Sequence, residues 1–148
     1  MIPDDTSLRI LIIEKDEDML DLLEDEIKEI GHSVTRATGE ASAILEASVR
    51  RFDVVITEVE MFGAIEPGIL SSLKKFQPSA SIVAMTSFGT ETMIREVLRK
   101  GADYYLAKPI LMETLNDFIK HLGRERMKVL GKRDSLRRRI TRLKGDIE

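Results

Sequence analysis

The chain has 148 residues, 43% hydrophobic and 33% charged, a balance that suits one soluble globular domain with a full-sized core and at most one added element. It has no cysteine, which excludes disulfides and thiolate metal sites and fits a reducing cytosol, and no apolar run approaches the ~18 residues that mark a membrane span. With no signal-peptide pattern at the start, a cytoplasmic protein without a membrane segment is expected.

The net charge of −3 conceals an asymmetry. From Arg124 onward ten Lys/Arg stand against four Asp/Glu, whereas the rest of the chain holds 13 basic and 22 acidic residues, an acidic body with a basic tail. Residues 1–7 form a polar leader with Pro3. Residues 8–13, Leu-Arg-Ile-Leu-Ile-Ile, predict a first strand, which breaks into Glu14-Lys15-Asp16-Glu17-Asp18. Met19, Leu20, Leu23, Ile27 and Ile30 then recur at helical spacing, with acids in the first turn to suit the positive end of the helix dipole and Gly31 to stop the helix. Residues 32–37 read as a second strand, and residues 39–50 as a helix burying Ala41, Ile44, Leu45 and Val49.

The stretch from Asp53 through Val54, Val55, Ile56 and Thr57 to Glu58 is the centre of the pattern. Its β-branched run is that of a strand buried on both faces of a parallel sheet, and a carboxylate stands where the strand should end. A loop over 61–67, with Gly63 and Pro67 as breakers, leads to a short helix over 68–76 with Ile69, Leu70, Leu73 and Phe76 inward. A strand over 81–86 follows, then a helix with Met93, Ile94, Val97 and Leu98 on one face and Gly101 at its end. Residues 104–107 form the fifth strand, and Lys108-Pro109 leads into the last helix. Strand and helix alternate five times, and right-handed crossovers then favour a five-stranded parallel sheet between helices, an α/β fold.

The last helix runs beyond the body. Leu115, Ile119, Leu122, Val129, Leu136, Ile140, Leu143 and Ile147 fall at alternating d and a heptad positions, with Arg126 and Arg133 interrupting the a positions. This predicts a body over 1–122 and a basic helical tail over 123–148. The tail admits three readings: a solvated linker helix, a homodimer through a coiled coil, or nucleic-acid contact through Arg137-Arg138-Arg139. The last is not expected, because such runs are usually solvated. The tail stops in mid-heptad, as the start of a linker to a further output domain would. His32 and His121 sit in polar sequence surroundings and form no metal motif with near neighbours.

In an open parallel sheet, ligands gather beyond the carboxyl ends of the strands. Those ends carry Glu14-Lys15-Asp16, Glu58, Thr86-Ser87 and Lys108-Pro109. The segments "RILIIEKDED", "FDVVITEVEMFG", "IVAMTSFGT" and "GADYYLAKPI", in this order and spacing, make residues 8–122 similar to the receiver domain of bacterial two-component response regulators. The resemblance implies a flavodoxin-like doubly wound sheet of order 2-1-3-4-5. It also implies a phosphoryl group accepted on an aspartate that ends the third strand, with Mg²⁺ held by that aspartate, an acidic pair after the first strand and a backbone carbonyl.

Matched residue by residue, the acceptor position is Glu58 rather than aspartate, the acidic pair is Glu14-Lys15 followed by Asp16, and the carbonyl is that of Glu60. Thr86 and Lys108 match the residues that bind phosphoryl oxygens, and Tyr105 the aromatic that moves with the threonine. Phe62 replaces a loop proline common in the family. A cation at 15 opposes a divalent ion by about 4 kcal/mol per unit charge at 4 Å and an effective dielectric near 20. The extra methylene of Glu58 spoils in-line geometry, where ~1 Å of misplacement can cost about 100-fold.

The expectation is a degenerate receiver that binds Mg²⁺ weakly or not at all, uses no cofactor, is not an enzyme and signals without phosphorylation. Lys15 is expected to pair with Glu58, and Glu14 to hold Lys108. A protein partner is expected on the face of the fourth helix, fifth strand and fifth helix, as in receivers generally. The alternatives are a working phospho-acceptor using Asp16 or Glu58 with an unusual metal arrangement, and a dimerisation platform for a C-terminal output domain.

Overall fold

The computed structural model describes residues 7–60, 65–87 and 89–147. Along it the β-branched runs become parallel strands: β1 (Arg9–Ile13), β2 (Ser33–Ala37), β3 (Val54–Glu58), β4 (Ser81–Thr86) and β5 (Tyr104–Ala107). Between and after them lie α1 (Glu17–Glu29), α2 (Glu40–Val49), α3 (Ile69–Phe76), α4 (Glu91–Lys100) and α5 (Met112–Ile147). The sheet order is β2-β1-β3-β4-β5. This is the doubly wound, flavodoxin-like α/β arrangement, with the long C-terminal helix present.

Side chains alternate across the sheet as strand geometry requires. Leu11, Ile13, Val55, Ile82 and Ala84 face α2, α3 and α4, whereas Ile10, Ile12, Val54, Ile56, Val83 and Met85 face α1 and α5. α1 contributes Leu20, Leu23 and Ile27 to the second layer, and α5 contributes Leu115, Ile119 and Leu122, all fully buried. Each such side chain stabilises the fold by roughly 1.5–3 kcal/mol relative to exposure. Asp16 caps α1 by accepting the Asp18 and Met19 N–H groups, and Gly31, at a φ of 100°, lets the chain reverse beyond the helix end.

Several sequence expectations need correction. α2 buries Ala43 and Ala47, with Ile44 packed alongside, while Ala41 faces outward and Leu45 and Val49 are 62% and 67% exposed. The helix turns its small residues inward, which lets it approach the sheet closely. Phe76, the last residue of α3, and Leu98 on α4 are also exposed. His32 is buried rather than set among polar groups, and its Nδ1 accepts the Leu8 N–H at 2.9 Å. Burial pushes its pKa down, which keeps the ring neutral for that bond.

Residues 1–6 of the leader, residues 61–64 with Phe62 and Gly63 of the predicted loop, and Glu148 lie outside the described residues. The side chains of Arg133, Arg137, Leu143 and Ile147 do as well.

Candidate functional site

Strand register brings the candidate residues level. Ile13 pairs with Thr57, Glu58 with Met85, and Thr86 with Ala107, so the residues that end or follow β1, β3, β4 and β5 meet at one rim. Glu14 is held there by its N–H, which donates to the Ala37 carbonyl, and Lys108 by its N–H, which donates to the Thr86 carbonyl. Two carboxylates are buried at the rim, Glu14 at 1% and Glu58 at 2% exposure.

Between them stands one cation. The Lys108 ammonium donates to Glu14 Oε2 at 2.9 Å and to Glu58 Oε1 at 2.8 Å. The free oxygens are used as well: Glu14 Oε1 accepts the Asp16 N–H at 3.2 Å, and Glu58 Oε2 accepts the Lys15 N–H at 3.3 Å. The expected Lys15–Glu58 side-chain pair is therefore corrected. Lys15 meets Glu58 through its backbone, while its ammonium, on a half-exposed side chain, reaches Glu60 Oε2 at 3.6 Å. A long flexible stem at the rim keeps its charge in water, and the shorter path into the site belongs to Lys108. Glu14 and Lys108 pair as expected.

The titration of this triad follows from burial and charge. Burial alone would raise the Glu58 carboxyl, but the hydrogen bond and charge of Lys108 hold it below its ordinary value, helped by the Lys15 N–H. At Glu14 burial prevails over Lys108, so its carboxyl lies above its ordinary value. Burial would lower the Lys108 ammonium, but its bonds to Glu14 and Glu58 hold it above its ordinary value.

The remaining candidates surround the triad. Thr86 is fully buried at the end of β4. Tyr105 is half-buried on β5, and its hydroxyl lies so close to Gly89 that a Cβ there would clash with it. Asp16 spends its carboxylate on the α1 cap. Among the described residues no three His, Cys, Asp or Glu side chains form a group that could hold a metal ion. Sequence reasoning did not find the Lys108–Glu58 bond or the Gly89–Tyr105 contact. Both join residues from separate strand ends, and no local spacing signals them.

At the opposite end of the sheet, Asp53 accepts from the Arg9 N–H at 2.8 Å and from Arg126 at 3.3 Å, and Arg126 also donates to the Ser79 carbonyl at 2.9 Å. Arg126 thus anchors α5 on its own body.

A sheet of this order, with buried acids, a hydroxyl residue and a lysine at one rim, is the arrangement that the resemblance to a receiver domain implies. The sequence pattern of the response regulator receiver domain matches residues 10–120, and the chain belongs to that family. It is similar to the response regulator protein FleR of Pseudomonas aeruginosa, 26% identical over 111 residues that cover 75% of this chain and 24% of FleR. It is also similar to the transcriptional regulatory protein ZraR of Salmonella typhimurium, 28% identical over 116 residues, 76% of this chain and 26% of ZraR. The chain thus spans about a quarter of the length of these relatives. A CheY-like receiver domain structure from Methanospirillum hungatei matches with a TM-score of 0.76 at 23% identity, covering 82% of this chain and 98% of that one. Among the described residues no helix is long and apolar enough to cross a membrane.

Proposed function

We propose that this chain is a receiver-like protein-interaction module of a two-component pathway that works without phosphorylation, with Glu58 at the position of the phospho-acceptor. The observation that carries the reading is the Lys108 ammonium seated between Glu14 and Glu58 at 2.9 and 2.8 Å. These residues do not fit Mg²⁺. The ion needs about six oxygens in near-ideal octahedral geometry at about 2.0–2.1 Å. Here both carboxylates are already engaged on both oxygens by N–H donors, Asp16 is spent on a helix cap, and a second cation, Lys15, reaches Glu60. No phosphoryl-transfer step is assigned to the site, since such transfer depends on positioning and on metal neutralisation of charge.

Glu58, Glu14, Lys15, Asp16 and Glu60 are then a receiver's acid pocket with its metal replaced by internal cations, and Thr86, Tyr105 and Lys108 its surviving switch positions. The output passes to a protein partner through the α4, β5 and α5 face, in the cytoplasm. Residues 1–122 make the receiver body, and residues 123–148 a basic helical tail that serves as a linker or a coiled coil.

Thermal unfolding with and without beryllofluoride plus Mg²⁺ tests the reading. An unchanged melting temperature is expected. A rise of several degrees that needs both reagents would overturn it and favour a phospho-accepting regulator.

A further inference from the structure

α5 is 36 residues long, about 54 Å at 1.5 Å per residue, and Arg126 is the last of its described side chains hydrogen-bonded to the body. Beyond that point Val129, Leu136 and Ile140, spaced seven and four residues apart on one stripe, are 49%, 55% and 45% exposed. An isolated helix this polar gains little stability without a packed apolar face. Exposed Lys128, Lys132 and Arg139 flank that stripe on one side.

The body carries a matching surface. On α1, Asp18, Leu22, Asp25 and Glu29 lie four, three and four residues apart, one exposed stripe with Leu22 57% exposed at its centre. Their neighbours find partners within the body: Arg36 pairs with Asp21 and Glu24, and the Asn116 amide donates a hydrogen bond to Glu26. Among the described residues Asp18, Asp25 and Glu29 have no ion-pair partner. Both stripes span twelve residues, one acidic around a leucine and the other basic beside a valine, a leucine and an isoleucine.

We infer that the partner of the tail is a second copy of this chain, with the basic tail of each copy lying along the acidic α1 stripe of the other. α1 and α5 share one face of the sheet, and α5 continues past Arg126 as one unbroken helix. Two copies set antiparallel, with their twofold axis near Arg126, bring each tail beside the other's α1 and close the assembly. The competing tail-to-tail coiled coil meets a charge problem in the heptad register. A parallel pair sets Lys132 at g against Arg137 at e of its mate, and Arg133 against itself at a, all like-charged.

The test uses the full chain and two charge reversals, Asp18→Lys with Asp25→Lys on α1, and Lys132→Glu with Arg139→Glu on the tail, with circular dichroism to verify folding. Light scattering at low ionic strength is expected to give twice the chain mass for the parent chain and the monomer mass for either reversed protein alone. Mixing the two reversed proteins one to one, or combining all four changes in one chain, restores the dimer. Raising salt to about 1 M, where the Debye length is about 3 Å, weakens the parent dimer. A monomeric parent chain would overturn the inference. So would a dimer that survives the α1 reversal and strengthens with salt, the behaviour of a tail-to-tail coil.

Discussion

Lys108 is the residue on which the rim depends. It neutralises one of two carboxylates that are almost wholly buried, and removing one partner of such a group leaves charge without water or counter-ion. Lys108→Met should destabilise the fold by about 3–5 kcal/mol at neutral pH. Without the ammonium the folded-state pKa of both carboxyls rises above the unfolded value, so the deficit is full above that raised pKa and shrinks as pH falls through it. Denaturant unfolding of the parent and Lys108→Met chains across neutral to acid pH checks this, and a deficit independent of pH would contradict it. In the parent chain the raised Lys108 pKa acts at the other end of the scale. Its contribution is complete below the ordinary lysine pKa and is lost as pH rises through the folded value.

At the scale of elements, the contact between the turn after β4 and strand β5 gives a discriminating double substitution. A Cβ at Gly89 would clash with the Tyr105 hydroxyl but would stand 3.7 Å from Tyr105 Cζ, an ordinary contact. Gly89→Ala should therefore move the Tyr105 side chain and cost about 1 kcal/mol, at the low end for overpacking because the obstructing atom is a side-chain tip. In a Tyr105→Phe background the same change should cost almost nothing. Equal costs in the two backgrounds, read by unfolding and by aromatic NMR shifts, would contradict the contact.

This scale also separates what the sequence makes legible from what it hides. β4 and β5 begin and end where their residues predict, because β-branched and aromatic runs bounded by Pro78, Gly101 and Lys108-Pro109 leave little choice. Periodicity misplaces the buried face of α2 because it favours the larger apolar residues, Leu45 and Val49, whereas the helix seats itself on Ala43 and Ala47. The rim acids were legible as strand ends. Their cation was not, because Lys108 lies 94 and 50 residues from its two partners, while Lys15, the nearer lysine in sequence, points to Glu60.

For the whole molecule, β3 joins the two ends: Glu58 sits at the triad and Asp53 under the Arg126 anchor. Arg126→Ala removes bonds to Ser79 and Asp53 from a side chain that is a quarter exposed, and should cost about 1 kcal/mol. Hydrogen exchange should speed up from Met127 onward while β3 and β4 keep their protection, and an unchanged tail would mean that the anchor does not fix the helix. The reading of the molecule as a receiver whose phosphate chemistry has been replaced by an internal ion triad meets its most direct test at Glu58. The measurement is intact mass after incubation with acetyl phosphate and Mg²⁺, with Glu58→Gln alongside. The mass should stay that of the unmodified chain in both proteins. An adduct of one phosphoryl group on the parent chain that disappears in Glu58→Gln would contradict the account.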